Sequence, residues 1–148
     1  MFSTVAALGA PYVLMHMQGT PETMQDKPVY GNVVEDVKGF FKRKLAELDE
    51  HGVTDVVLDP GFGFGKTVDD NYKLLKHLGE FQRFDKPILS GVSRKSMIYK
   101  ALECAPKEAL NGTTALNMIS ALNGACLLRV HDIAEAREVL ILHNHLCK

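Results

Sequence analysis

Four short clusters in this chain hold residues that could do chemistry, and the richest is Asp59-Pro60-Gly61-Phe62-Gly63-Phe64-Gly65-Lys66-Thr67. It follows Val56-Val57-Leu58, an apolar run that predicts a buried strand. A carboxylate at a strand end can receive paired N–H donors from a flat polar ligand. Glycines alternating with phenylalanine let the backbone approach such a ligand closely. Gly65-Lys66-Thr67 also matches the end of the nucleotide-binding pattern G-x-x-x-x-G-K-[ST], but Pro60 stands where its first glycine belongs. Proline has no N–H and a fixed φ, which makes a poor start for a nest of phosphate-binding amides. The dinucleotide pattern G-x-G-x-x-G fails because Lys66 takes its last position. A plain strand-to-helix connector is the remaining alternative, and it leaves the strand-end carboxylate without a reason.

The second cluster, Ser93-Arg94-Lys95-Ser96, follows Ile88-Leu89-Ser90-Gly91. Two cations and Ser96 near a helix start suit an anion, and Gly91 lets a ligand reach the backbone. Taken alone, the cluster fits a solvated basic turn with a serine cap equally well. The third, Arg129-Val130-His131-Asp132, closes an apolar run; alternation puts Arg129 and His131 on one side, suited to phosphate or pyrophosphate. Asp132, with Glu135 three residues on, predicts a capping box that opens the last helix. The fourth, Met15-His16-Met17, suits methionine beside a planar ligand better than a soft metal, since it holds one histidine. His143, His145 and Cys147 have metal-ligand chemistry but sit where a terminal helix frays.

The elements that would position these groups alternate. Apolar runs at 12–16, 56–59, 88–92 and 126–130 predict four strands, continuous enough to be parallel and covered on both faces. Val34, Val37, Phe41, Leu45 and Leu48 mark one face of a long helix ending before Gly52. Tyr72, Leu75 and Leu78 mark a helix after the glycine loop, and residues 113–123 another, closed by Gly124. The last helix runs from Asp132 towards His145, and residues 3–8, closed by Gly9, end an earlier helix. Residues 18–32 form a long polar loop, a lid or a disordered link. Strict alternation predicts a parallel α/β fold. Polar groups at every strand end favour a (β/α)8 barrel rim over the single switch point of an open sheet. A barrel needs roughly 250 residues; this chain has 148 and starts inside a helix. The expected fold is thus the C-terminal half of a (β/α)8 TIM barrel, four parallel strands with alternating helices, as one domain over 1–148 with the N-terminal half absent.

Bulk properties bound the partners. With 46% hydrophobic and 24% charged residues and a net charge of −1, the chain has no basic footprint for nucleic acid. No apolar run approaches the ~20 residues that cross a membrane, and the first residues do not predict a signal peptide. Three scattered cysteines, Cys104, Cys126 and Cys147, predict no disulfide framework and a cytoplasmic location.

Together, Leu14-Met15-His16-Met17-Gln18-Gly19, Asp59 to Lys66, Gly91-Val92-Ser93-Arg94-Lys95-Ser96 and Arg129 to Asp132 closely resemble the dihydropteroate synthases, the sulfonamide targets of folate biosynthesis, in order and spacing across essentially the whole chain. The resemblance implies a TIM barrel that joins para-aminobenzoate to 6-hydroxymethyl-7,8-dihydropterin pyrophosphate, releasing pyrophosphate with Mg²⁺. It further implies that Asp59 receives the guanidine-like edge of the pterin, Met15 lines that pocket and Lys95 contacts the pterin near the reacting centre. Arg129 would lie over the ring and bind pyrophosphate with His131. Gly63 and Phe64 would wall the aminobenzoate site, and Ser96 would receive its carboxylate. Gly91 and Arg94 complete the expected substrate-binding set, with Lys95, Arg129 and His131 as its catalytic members. The family's early Asp and Asn ligands, with the usual metal-holding group, have no counterpart in these residues, so little or no activity is expected of this chain alone. Two open sheet edges predict a homodimer closing a pseudo-barrel. A pterin-binding methyltransferase-like barrel, or a fragment that folds and associates without chemistry, are the alternatives.

Overall fold

Gly9 takes the left-handed conformation (φ 58°) and ends a seven-residue helix, α1 (Phe2–Leu8), in the computed structural model, which describes residues 1–20 and 28–148. β1 (Tyr12–Met15) follows and runs parallel to β2 (Val56–Asp59), Tyr12 opposite Val56 and Met15 opposite Asp59. β3 (Leu89–Ser90) pairs in parallel with β4 (Leu127–Leu128). A parallel bridge between Leu58 and Ile88 joins the two pairs, so the strands stand side by side in chain order. Each crossover holds helix: α2 (Val33–Glu50), then α3 (Val68–Lys76), then the four-residue α4 (Ser96–Tyr99) with α5 (Leu110–Leu122). α6 (Ile133–Leu146) closes the chain. The parallel α/β expectation is met, and the arrangement forms part of a barrel wall.

Local chemistry explains the helix starts. Asn32 caps α2, its side chain accepting from Val34 and Glu35 N–H, and Glu35 and Asp36 complement the dipole in the first turn. Val34, Val37, Phe41 and Leu48 are buried, as their spacing predicts, and Phe41 meets Phe81 edge to face at 5.6 Å. Burying a side chain of this size stabilises by about 1.5–3 kcal/mol. Thr67 caps α3 in a full capping box with Asp70.

Several expectations need correction. The last two strands are shorter than 88–92 and 126–130, because the chain leaves the ladder at Gly91 and turns at Arg94, whose φ is 52°. Leu78 belongs to a 3₁₀ turn, Leu78–Phe84, and not to the helix before it. Asn123 Nδ2 donates to the Leu75 carbonyl (2.9 Å), satisfying the end of α3 one turn earlier. α5 starts at Leu110, ahead of the expected 113. Asp132 makes no side-chain cap bond; Arg94 takes its carboxylate instead. The strands are not covered on both faces either: Val13 is 49% exposed and Leu127 43%, while Leu14 and Leu58 are buried under the helices. The 18–32 loop falls in part outside the described residues; at its base the Gln18 amide both donates to and accepts from the Val29 backbone (2.8 and 3.0 Å). Among the described residues no helix is long and apolar enough to cross a membrane.

Candidate functional site

The four clusters meet at the ends of the strands. Met15 pairs with Asp59 in the last register of the first ladder. Arg129 N–H donates to the Ser90 carbonyl (2.9 Å), which places Arg129 beside the exit of β3. A Cβ on Gly91 would lie 3.8 Å from Arg129 Cβ and 4.0 Å from Lys95 Nζ, so Gly91 leaves its open side to these two residues.

Asp59 is the electrostatic centre. Its Oδ1 accepts the Gly61 N–H at 2.8 Å. Burial raises its pKa above the ordinary carboxylate value, and the Gly61 N–H and the charges of Lys95, Lys66 and Arg129 oppose that rise. Three cations from three segments therefore act on one strand-end carboxylate. Lys95 is pushed down to about 8, first by burial and then by Arg129, with Asp59 acting the other way. Its Nζ donates to the Phe62 carbonyl and stands 4.5 Å from the centre of the Phe64 ring. Gly63 takes φ 80°, a conformation that favours glycine, and a Cβ there would press on the Lys95 side chain at 3.3 Å.

Beside this group lies an open cavity of about 260 Å³ lined by Phe62, Gly63, Phe64, Arg94, Lys95, Ser96 and Tyr99. Its size and one aromatic wall suit a single substituted benzene ring. A larger hollow of about 400 Å³, lined by Asn32, Glu35, Asp70, Lys73 and Glu80 among others, lies between the starts of α2 and α3, and none of the strand-end groups lines it.

Two bridges tie the β3 and β4 exits together. Ser93 Oγ lies 2.9 Å from His131 Nδ1 and accepts the His131 N–H at 3.2 Å. Arg94 donates to both Asp132 oxygens (2.9 and 2.6 Å) and to the Lys107 carbonyl (3.0 Å). Asp132 lies below its ordinary pKa because Arg94 donates to it. Arg94 thus departs from the anion-site expectation: its guanidinium is committed within the protein, and Lys95 is the cation of that cluster that acts on Asp59.

Sequence reasoning placed Lys66, His16 and Ser93 in its clusters without seeing their bracing role, and did not single out Asn71. By pattern Lys66 resembles the lysine of a nucleotide loop, but it is 5% exposed and turned inward, its Nζ 2.9 Å from His16 Nδ1. Asn71 is buried, accepts the Gly63 N–H at 2.7 Å and donates to the Thr67 carbonyl at 2.6 Å. Glycine at 63 with an asparagine one turn into the next helix was the available hint. Met15, Asp59, Gly63, Phe64, Gly91, Lys95, Ser96, Arg129 and His131 are all carried on one rim by neighbouring segments.

A parallel α/β wall, part of a barrel, carries a carboxylate and several cations at its strand ends, and comparison with known proteins assigns the family. Residues 1–131 match the family described as pterin binding enzyme, and the chain belongs to it. It is 45% identical over 137 residues to the dihydropteroate synthase of Escherichia coli (strain K12), covering 91% of this chain and 49% of that protein. It is 42% identical over 139 residues to that of Haemophilus influenzae, covering 93% and 50%. Among solved structures, Yersinia pestis dihydropteroate synthase in a sulfonamide drug complex superposes with a TM-score of 0.95 at 39% identity, over 98% of this chain and 54% of that one. The Thermus thermophilus enzyme in complex with 4-aminobenzoate gives 0.94 at 36%, over 99% and 61%. The chain spans about half the length of the relatives it matches.

Proposed function

We propose that these residues form the C-terminal half of a dihydropteroate synthase barrel and carry most of its substrate contacts. The observation that supports this best is the half-buried carboxylate of Asp59 at the end of β2, anchored by the Gly61 N–H and acted on by the charges of Lys95, Lys66 and Arg129. A pterin presents two parallel N–H donors on its guanidine-like edge, the match for a carboxylate. Met15, opposite Asp59, lines the same pocket. Arg129, beside Gly91, lies over the ring and reaches the pyrophosphate with His131, which Ser93 holds in place. The cavity by Gly63, Phe64 and Ser96 takes para-aminobenzoate, ring against Phe64 and carboxylate towards Ser96.

The reaction forms a bond from the aminobenzoate nitrogen to the pterin methylene carbon. The bond from that carbon to the pyrophosphate oxygen breaks, its electron pair leaving with pyrophosphate, and the amine loses a proton. No enzyme nucleophile is required. These residues orient two flat substrates and stabilise departing negative charge with Lys95, Arg129 and His131. Magnesium belongs to the pyrophosphate substrate. Among the described residues no three His, Cys, Asp or Glu side chains form a metal-ligating group, so none of them is assigned to it. Cys104, Cys126 and Cys147 are free thiols, which suits a reducing, cytoplasmic setting.

Calorimetric titration of the 148-residue polypeptide with 6-hydroxymethylpterin, with and without pyrophosphate and magnesium, tests the proposal. Linked binding of the two is expected, with little turnover in a coupled dihydropteroate assay. Absence of pterin binding at millimolar concentration would contradict it.

A further inference from the structure

The backbone of the glycine loop lies directly against the exit of β1. A Cβ on Gly61 would fall 1.9 Å from the His16 carbonyl oxygen, and one on Gly65 2.7 Å from that of Gln18. Bare backbone so close brings carbonyl oxygens together out of water, and such acceptors need donors. Lys66 supplies them. Its Nζ donates to the Gly61 and Phe64 carbonyls, both at 3.0 Å, stands 2.9 Å from His16 Nδ1 and reaches the His16 carbonyl at 3.4 Å. The Phe62 carbonyl goes to Lys95 instead. Two lysines therefore share the loop's carbonyls, and only Lys95 lines the cavity by Phe64.

His16, 6% exposed, is braced in turn. Phe40 meets its ring edge to face at 5.0 Å, and Tyr30, 6.1 Å away, donates its hydroxyl to the Gly65 carbonyl at 2.7 Å. We propose that Lys66 is a positioning residue: its buried side-chain nitrogen, with His16 as its anchor on β1, holds the glycine loop in the shape that presents Asp59, Gly63 and Phe64 to substrate, without touching substrate itself. This rests on the pterin and aminobenzoate assignment above, but the structural claim has its own measurement.

The arrangement tolerates either protonation state. Burial, followed by the charge of Lys66, pushes His16 down to about 3, so its ring is neutral. Burial pushes Lys66 down to about 7, with Asp59 and Asp70 opposing the fall and Lys95 adding to it. As an ammonium, Lys66 donates to Nδ1 and to both loop carbonyls. As an amine, it keeps the two carbonyls and accepts an Nδ1–H from the other histidine tautomer. The same partners are held in both states, as a positional brace requires.

The test is amide hydrogen exchange, read residue by residue, on wild type, Lys66→Met, His16→Asn and His16→Leu, alongside pterin and para-aminobenzoate affinities. Lys66→Met should speed exchange at Phe64, whose N–H bonds the Gly61 carbonyl, and at Gly63 by about 10-fold or more, with α2 amides unchanged. Both affinities should fall with it. His16→Asn places an acceptor oxygen where Nδ1 stands and should keep protection within about 2-fold, whereas His16→Leu should lose it. Unchanged exchange at Phe64 in Lys66→Met overturns the proposal. Should that variant lose protection in α2 as well, the histidine pair decides, and equal behaviour of Asn and Leu overturns it. Wild type that binds neither ligand overturns the functional assignment, while the exchange result still judges Lys66.

Discussion

Arg94 and Asp132 form a two-point ion pair, Nε to Oδ2 at 2.9 Å and Nη2 to Oδ1 at 2.6 Å, that locks the turn after β3 to the turn after β4. The pair stands next to the Ser93–His131 bond, so the position of His131 depends on it. Asp132→Asn leaves one acceptor for a two-donor fork and removes the charge that pairs with the Arg94 guanidinium. Pyrophosphate affinity measured by calorimetry should fall by roughly 10- to 100-fold. Pterin affinity without pyrophosphate should change little. Equal pyrophosphate affinity in the variant would show that the pair does not position His131.

That pair also marks how far the sequence could be read. Asp59 was legible because Val56-Val57-Leu58 fixes where the strand ends, and the buried face of α2 because Val34, Val37, Phe41 and Leu48 recur at helical spacing. The fates of Asp132 and Lys66 were not. Each has a credible local role, helix cap or phosphate lysine, and each is captured by a partner 38 or 50 residues away. Local chemistry ranks such options, but only packing brings the distant acceptor or donor into range. Strand ends were overestimated for a related reason: apolar runs record burial, and burial continues into Val92 after the β3 ladder has stopped at Ser90.

Two glycines should respond in opposite directions. Gly61 has φ 71° and a backbone oxygen 1.9 Å from any added Cβ, so Gly61→Ala should destabilise by at least about 2 kcal/mol in urea titration. Gly39 lies inside α2, where a Cβ would make an ordinary 3.6 Å contact with Arg43, and Gly39→Ala should stabilise by about 0.5–1 kcal/mol. The same sign for both would contradict the loop geometry.

Buried bases give stability a pH slope. The folded chain holds fewer protons than the unfolded one at His16 between about 3 and 6.5, and at Lys66 between about 7 and 10.5. Stability from these groups is therefore full above the unfolded pKa and lost as pH falls through the folded one. Lys95 adds the same trend above about 8, while Asp59, raised by burial, acts oppositely in its own acidic range. Denaturant midpoints should rise from neutral to alkaline pH, and Lys66→Met should flatten that rise. An identical slope in the variant would place the lysine in water.

The exposed faces of Val13 and Leu127 lie on the two strands that have no further neighbour among the described residues. A second copy pairing edge to edge would cover both. Sedimentation of the 148-residue polypeptide should show two associated chains, and Val13→Lys should shift them to one. A monomer at all concentrations would rule out this pairing.

Asp59 is proposed to read the donor edge of a pterin, and Asp59→Asn tests that role most directly. Asparagine keeps an oxygen for the Gly61 N–H but turns the other acceptor into a donor, so one ligand contact becomes repulsive while the loop stays anchored. Calorimetry should show pterin affinity falling by roughly 10- to 100-fold, as for a lost charge-assisted pair. Pterin affinity equal to that of the wild type would contradict the role given to Asp59.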